Sequence, residues 1–97
     1  MIRSFGDTAT DDFFHGRSST HSRRIPANIR AVAARKLDMV NAANIYGDLR
    51  SPPGNRLERL RGDWAGYHSI RINQQWRIVF KWDDGTADNV QIVDYHR

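Results

Sequence analysis

Apolar positions along this chain follow two different periods, and the change of period divides it. Ile29, Val32, Ala33, Leu37, Val40 and Ala43 recur at helical spacing behind Pro26, which predicts one amphipathic helix over 26–44. Its opposite face carries Arg30, Arg35 and Asp38. Gly47 ends that pattern, and Ser51-Pro52-Pro53-Gly54 cannot be helical. From Asn55 the period becomes two. The alternation predicts a first strand before the link Gly62-Asp63-Trp64-Ala65-Gly66, then strands over 67–73, 76–82 and 88–95, with Asp83-Asp84-Gly85 turning the chain before the last of them.

Ahead of the helix the signals are weaker. Ile2 to Phe5 alternate and read as a short strand. Asp7 or Thr8 can cap a short helix carrying Phe13 and Phe14. Residues 16–24 contain no apolar side chain, so nothing offsets their ordering entropy. A mobile loop or extended arm is expected there, with His15 and His21 solvated.

Strand parity fixes a register. His68, Ile70 and Ile72 share one side of their strand, and Trp76, Ile78, Phe80 and Trp82 share one side of the next. The two apolar sets face the same way only if the turn has an odd number of residues, which Asn73-Gln74-Gln75 supplies. This pairs Ile70 with Ile78 and His68 with Phe80. On the other face it sets Arg71 against Arg77 and Tyr67 beside Lys81. Like charges directly opposed weaken a sheet by roughly 0.2–1 kcal/mol. Either an anion sits between the two arginines or they splay into solvent. In the last strand Val90 and Ile92 cover the helix, and Asp94 and His96 leave the core edge on the same side. The predicted fold is α+β: an antiparallel-rich twisted sheet with two N-terminal helices on one face and the other face open.

Ninety-seven residues make one domain, 1–97, and the absence of cysteine removes disulfides and thiolate chemistry. No signal peptide or membrane-length apolar run occurs, so a cytoplasmic protein without membrane association is expected. Charge changes the picture more. Thirteen arginines and two lysines outweigh eleven acidic residues, and between Arg50 and Lys81 seven basic residues face two acidic ones. Arginine makes planar, bidentate phosphate contacts, so this bias points to a polyanion partner.

A histidine near a carboxylate, a tyrosine and arginines is a toolkit for cutting RNA without a metal, and Asp94-Tyr95-His96 closes the chain beside such a surface. Histidine can take or give a proton near neutrality, arginine can neutralise a phosphorane, and tyrosine can stack or donate a hydrogen bond. No metal-ligand spacing is present, and no cofactor is called for.

Several segments carry a likeness to a known family. They are Met1-Ile2-Arg3-Ser4-Phe5, Arg35-Lys36-Leu37, the run from Leu49 to Glu58, Gly62-Asp63, the run from Gly66 to Asn73, Gln75-Trp76-Arg77 and Val93-Asp94-Tyr95-His96. In this order they span nearly the whole chain. The sequence resembles HigB-type toxins, the plasmid-maintenance killer proteins of the RelE/ParE superfamily, close to the GraT-like branch. The resemblance implies a toxin that cleaves mRNA in the ribosomal A site. It also implies neutralisation by a HigA-type helix-turn-helix antitoxin, and through that complex an indirect link to operator DNA.

Family chemistry carries over to Asp94, Tyr95 and His96, with Arg77 as the transition-state arginine. Glu58 stands where some relatives have a catalytic histidine. Either Glu58 acts as a base, or His96 works with arginine help alone. Arg56, Arg59, Arg61, Arg71 and Lys81 are the expected RNA contacts. The competing classes are a non-catalytic RNA- or ribosome-binding inhibitor of translation and a ParE-like gyrase poison.

Overall fold

The computed structural model describes residues 1–95; the His96 of the closing motif lies outside the described residues. Helix α1 spans Thr8–Phe14 and α2 spans Arg30–Ala42. They precede a four-stranded antiparallel sheet of β1 (Glu58–Arg59), β2 (His68–Arg71), β3 (Trp76–Asp83) and β4 (Thr86–Asp94), ordered as in the sequence. The α+β expectation holds. Asp7 caps α1, its carboxylate accepting from the Thr10 amide at 2.8 Å. The long helix starts later than predicted, because residues Ala27–Ile29 form a tighter 3-10 turn first.

The predicted β2–β3 register is observed: His68 faces Phe80, Ile70 faces Ile78, and Arg71 faces Arg77. The Asn73 side chain accepts from the amides of Gln75 and Trp76 at 2.8 and 2.7 Å, which closes the turn. Leu37, Val40, Leu49, Ile70, Ile78, Phe80 and Val90 form the fully buried centre of the core between α2 and the sheet. Among the described residues, no helix is long and apolar enough to cross a membrane.

One irregularity was not legible from strand parity. Between Val79 and Lys81 the β3–β4 register shifts, so Asn89 and Val90 together oppose Phe80, with Asn89 at φ 52°. This bulge lets both Ala87 and Val90 point into the core, three positions apart. It also places Asp88 opposite Lys81, where the Arg3 guanidinium holds it through two nitrogens.

The N-terminal segment pairs parallel with β4 at two bridges, Ile2 with Ala87 and Phe5 with Val90. Gly6 lies so close to β4 that a Cβ there would meet the Gln91 side-chain amide and the Asn89 carbonyl. Beyond it, the buried Thr10 hydroxyl accepts from the Ile92 amide at 2.9 Å. The outer edge of β4 is thereby closed against pairing with another chain.

Residues 16–24 are held in a defined conformation, contrary to the expected mobile arm. Arg17 pairs with Asp11 and Asp12, Ser19 donates to Asp12 at 2.7 Å, and Ser22 is buried in a 3-10 turn. The segment is fastened by polar groups of α1 rather than by apolar burial. Hydropathy alone had no means of registering that.

Thr10→Val keeps the side-chain volume but leaves the Ile92 N–H buried without an acceptor. Urea denaturation is expected to show a loss of about 1–3 kcal/mol, and an unchanged midpoint would remove this edge contact from the account.

Candidate active site

Position 77 on the central strand is where the polar face of the sheet departs most from expectation. Arg77 is 2% exposed, and its neighbours Ser69 and Val79 are fully buried. This face is therefore not an open cationic surface at its centre. The Arg77 Nη1 group donates to Glu58 Oε1 in an ion pair, and to the Ser69 hydroxyl at 3.1 Å. Its guanidinium carbon lies 4.4 Å from the centre of the Tyr95 ring. The anion that neutralises Arg77 is thus supplied by the protein, from β1.

Why these residues meet follows from the ladder. Glu58 faces Ser69 across β1–β2, Ser69 faces Val79 across β2–β3, and Arg77 faces Val93 across β3–β4. Alternation keeps Glu58, Ser69, Arg77, Val93 and Tyr95 on one face. An arginine is long enough to reach diagonally from β3 to Glu58. The Tyr95 amide donates to the Gln75 carbonyl at 2.8 Å, which fixes the backbone that carries the ring.

A cleft of about 380 Å³ opens beside this group, lined by Glu58, Arg59, Leu60, Arg61 and Tyr95. It brings together four residues singled out from the sequence: Glu58, Arg59, Arg61 and Tyr95. Arg77, buried, contacts two of them, Glu58 and Tyr95.

The remaining candidates are distributed. Arg71 stands opposite Arg77, half-buried, with its Nε lacking a hydrogen-bond partner, as does Arg77 Nε. Lys81 is exposed, its Nζ 5.2 Å from the centre of the Tyr67 ring. Arg56 is exposed at the end of the Pro53–Asn55 turn, with φ 45°. Asp94 lies opposite Trp76 and accepts from the Gln75 side-chain amide at 3.0 Å. The observed β1 is only two residues long, so Arg61 lies beyond it in the chain.

Three contributors were missed in the sequence reading. Ser69 was placed on the polar face but not recognised as an Arg77 partner. Lys36, on α2, is 6% exposed and donates from Nζ to the Arg71 carbonyl at 2.7 Å, tying the helix to the end of β2. Burial and then the nearby Arg35 charge lower its pKa. A lysine on the apolar side of the helical pattern was the available signal. The third is Tyr46, whose hydroxyl lies 2.9 Å from His68 Nδ1 in a cluster with Phe80 and Trp82.

A family model for the RelE-like toxin of type II toxin–antitoxin system HigB matches residues 3–96. Toxin HigB-1 of Vibrio cholerae serotype O1 is 40% identical over 97 residues, covering 100% of this chain and 99% of that protein. Endoribonuclease HigB of Proteus vulgaris is 34% identical over 61 residues, 63% of this chain and 65% of that one. In structure, the YoeB–YefM complex from Staphylococcus aureus contains a chain that superposes with a TM-score of 0.60 at 20% identity, over 100% of this chain and 97% of that one.

Removing the carboxylate that neutralises Arg77 leaves a buried cation short of its strongest partner. Glu58→Ala is expected to lower stability by about 1.5–3 kcal/mol in urea denaturation, and Glu58→Gln by less, since the amide oxygen still accepts. Equal losses for the two would show that the acceptor is not what matters.

His68 gives a pH prediction. Burial first, then the Arg59 charge, holds it below its ordinary value of 6.5. A histidine that resists protonation when folded, but not when unfolded, stabilises the fold above the unfolded pKa. That contribution is lost as pH falls toward the folded value. Between about pH 7.5 and about pH 5.5 the wild-type urea midpoint should fall more steeply than that of His68→Phe. Parallel curves would contradict this.

Proposed function

This chain belongs to the HigB-like family of RelE-like toxins from type II toxin–antitoxin systems, and from that premise we propose that its cleft cuts mRNA bound in the ribosomal A site. Membership brings with it an antitoxin partner. The HigA-type helix-turn-helix identity of that antitoxin, its indirect link to operator DNA and a cytoplasmic setting complete the reading.

The observation that carries the proposal is the buried Arg77, stacked on Tyr95 and anchored by Glu58, two residues that line a cleft together with Arg59 and Arg61. A guanidinium fixed in a site poor in water needs little reorganisation when charge develops on a phosphate nearby. Arg59 and Arg61 are exposed and attract the RNA backbone. In the reaction, the ribose 2′-oxygen attacks the adjacent phosphorus and gives its proton to a base. The P–O5′ bond breaks, and the departing oxygen takes a proton from an acid. The products are a 2′,3′-cyclic phosphate and a 5′-hydroxyl. His96 is assigned a proton-transfer role through the resemblance, with Asp94 and Tyr95 beside it in sequence. Glu58, committed to Arg77, acts first as its counter-ion, and proton abstraction by Glu58 would have to compete with that ion pair.

His96→Gln should lower the rate of mRNA cleavage on ribosomes by at least about a hundredfold, the usual contribution of a positioned acid or base. Primer extension after brief induction measures this, and co-sedimentation with ribosomes should be unaltered. If the variant arrests growth as strongly as wild type, the nuclease reading is wrong and occupancy of the ribosome is the better account.

A further inference from the structure

One aromatic group on the polar side of the sheet has no part in the core or in the chemistry above. Trp76 and Trp82 pack against the core between α2 and the sheet, whereas Trp64 stands apart from that cluster. It sits at the end of the short turn Gly62–Trp64, with the exposed residues Arg61, Gly62, Asp63, Ala65 and Gly66 around it in sequence. A half-buried indole in such a loop gains little from the core.

Its surroundings are ordered all the same. The Trp64 and Tyr67 rings meet edge to face, with centroids 5.0 Å apart and planes at 83°. The Tyr67 amide donates to the Trp64 carbonyl at 2.9 Å, which closes the loop between them. Tyr67 is in turn pinned from two sides. Its carbonyl accepts from the amide of Leu60, a residue of the cleft wall, at 2.9 Å, and Lys81 Nζ stands over its ring.

The Leu60–Tyr67 hydrogen bond therefore links the cleft wall to an aromatic pair beside a cation. Arg59 and Arg61 flank Leu60, and Lys81 flanks Tyr67. Basic groups that follow a backbone, interleaved with aromatic rings, suit a single-stranded nucleic acid whose bases are unstacked. A protein partner would not call for cations on both sides of the rings; a phosphodiester chain does.

We infer that Trp64, propped by Tyr67 and next to Lys81, is a stacking platform for an RNA base next to the phosphate held in the cleft. This rests on the nuclease reading. It adds a subsite that sets where the substrate strand lies, and so which nucleotide is presented for cutting. Tyr67 is a positioning residue here, since its ring is already engaged by Lys81 and by the Trp64 indole.

The test uses ribosomes programmed with a defined mRNA. Trp64→Ala is expected to raise the toxin concentration for half-maximal cleavage about tenfold or more, with the effect on half-saturation rather than on the limiting rate. Trp64→Phe should stay close to wild type, because a phenyl ring also stacks. Abasic replacements along the codon and its neighbours identify the source of the base. One mRNA position should weaken wild type as Trp64→Ala does and add nothing to that variant. If no mRNA position does so while Trp64→Ala remains weak, Trp64 acts on something other than the substrate strand and the inference fails.

Wild-type half-saturation for Trp64→Ala, or equal weakness of Trp64→Ala and Trp64→Phe, overturns the inference. Binding to ribosomes carrying an mRNA with a 2′-deoxy nucleotide at the cut site separates the two readings. Trp64-dependent binding without any cutting of normal mRNA would sink the nuclease reading and leave the platform standing. Binding and cutting that ignore Trp64 would do the reverse.

Discussion

A guanidinium that is 2% exposed on the central strand of a sheet must be neutralised within the protein, and much of the architecture of this face follows from that requirement. Burying an unpaired cation would cost several kcal/mol, on the order of a sizeable share of a small domain's stability. Glu58 on β1 and Ser69 on β2 answer Arg77 through hydrogen bonds, and the Tyr95 ring covers it. The ion pair makes a two-residue strand worth keeping at the sheet edge. Tyr95, just past the end of β4, lies on the same face.

The two edges of the sheet are treated differently, and the cleft lies at the open one. Along β4 the amides of Ala87, Val90 and Ile92 donate to Met1, Ser4 and Thr10, so the edge is closed. At the β1 side pairing stops after two residues, and Arg59 and Arg61 stand exposed around a cleft. A short, charged edge resists addition of another strand while leaving backbone and side chains open to a ligand. Stability on one side and access on the other thus come from the same four strands.

Polar groups do work in this chain that apolar burial does in others. Arg30 donates to the carbonyls of Ser22 and Ile25, and its guanidinium carbon lies 5.4 Å from the Phe13 ring centre. Asn55, fully buried, donates to the carbonyls of Leu49 and Ser51. Lys36 reaches the end of β2 from the helix. These contacts hold loops that contain too few apolar residues to hold themselves. They are also what allows a basic chain of this size to carry arginines near its core.

The sequence by itself determined the helix stripe, the strand periods, the odd turn at Asn73-Gln74-Gln75 and hence the facing of Arg71 and Arg77, because alternation along a backbone is a local property. Arg77 stood out through strand parity and Tyr95 through its place beside Asp94 and His96, whereas Glu58 was legible only through a resemblance. Only the tertiary structure decided that Arg77 is buried and paired with Glu58, since that depends on which strand lies two places away in the ladder. The bulge at Asn89, the Thr10 contact with β4 and the ordering of residues 16–24 were likewise out of reach. Each depends on polar groups meeting across long stretches of chain, and one-dimensional periodicity carries no term for such meetings.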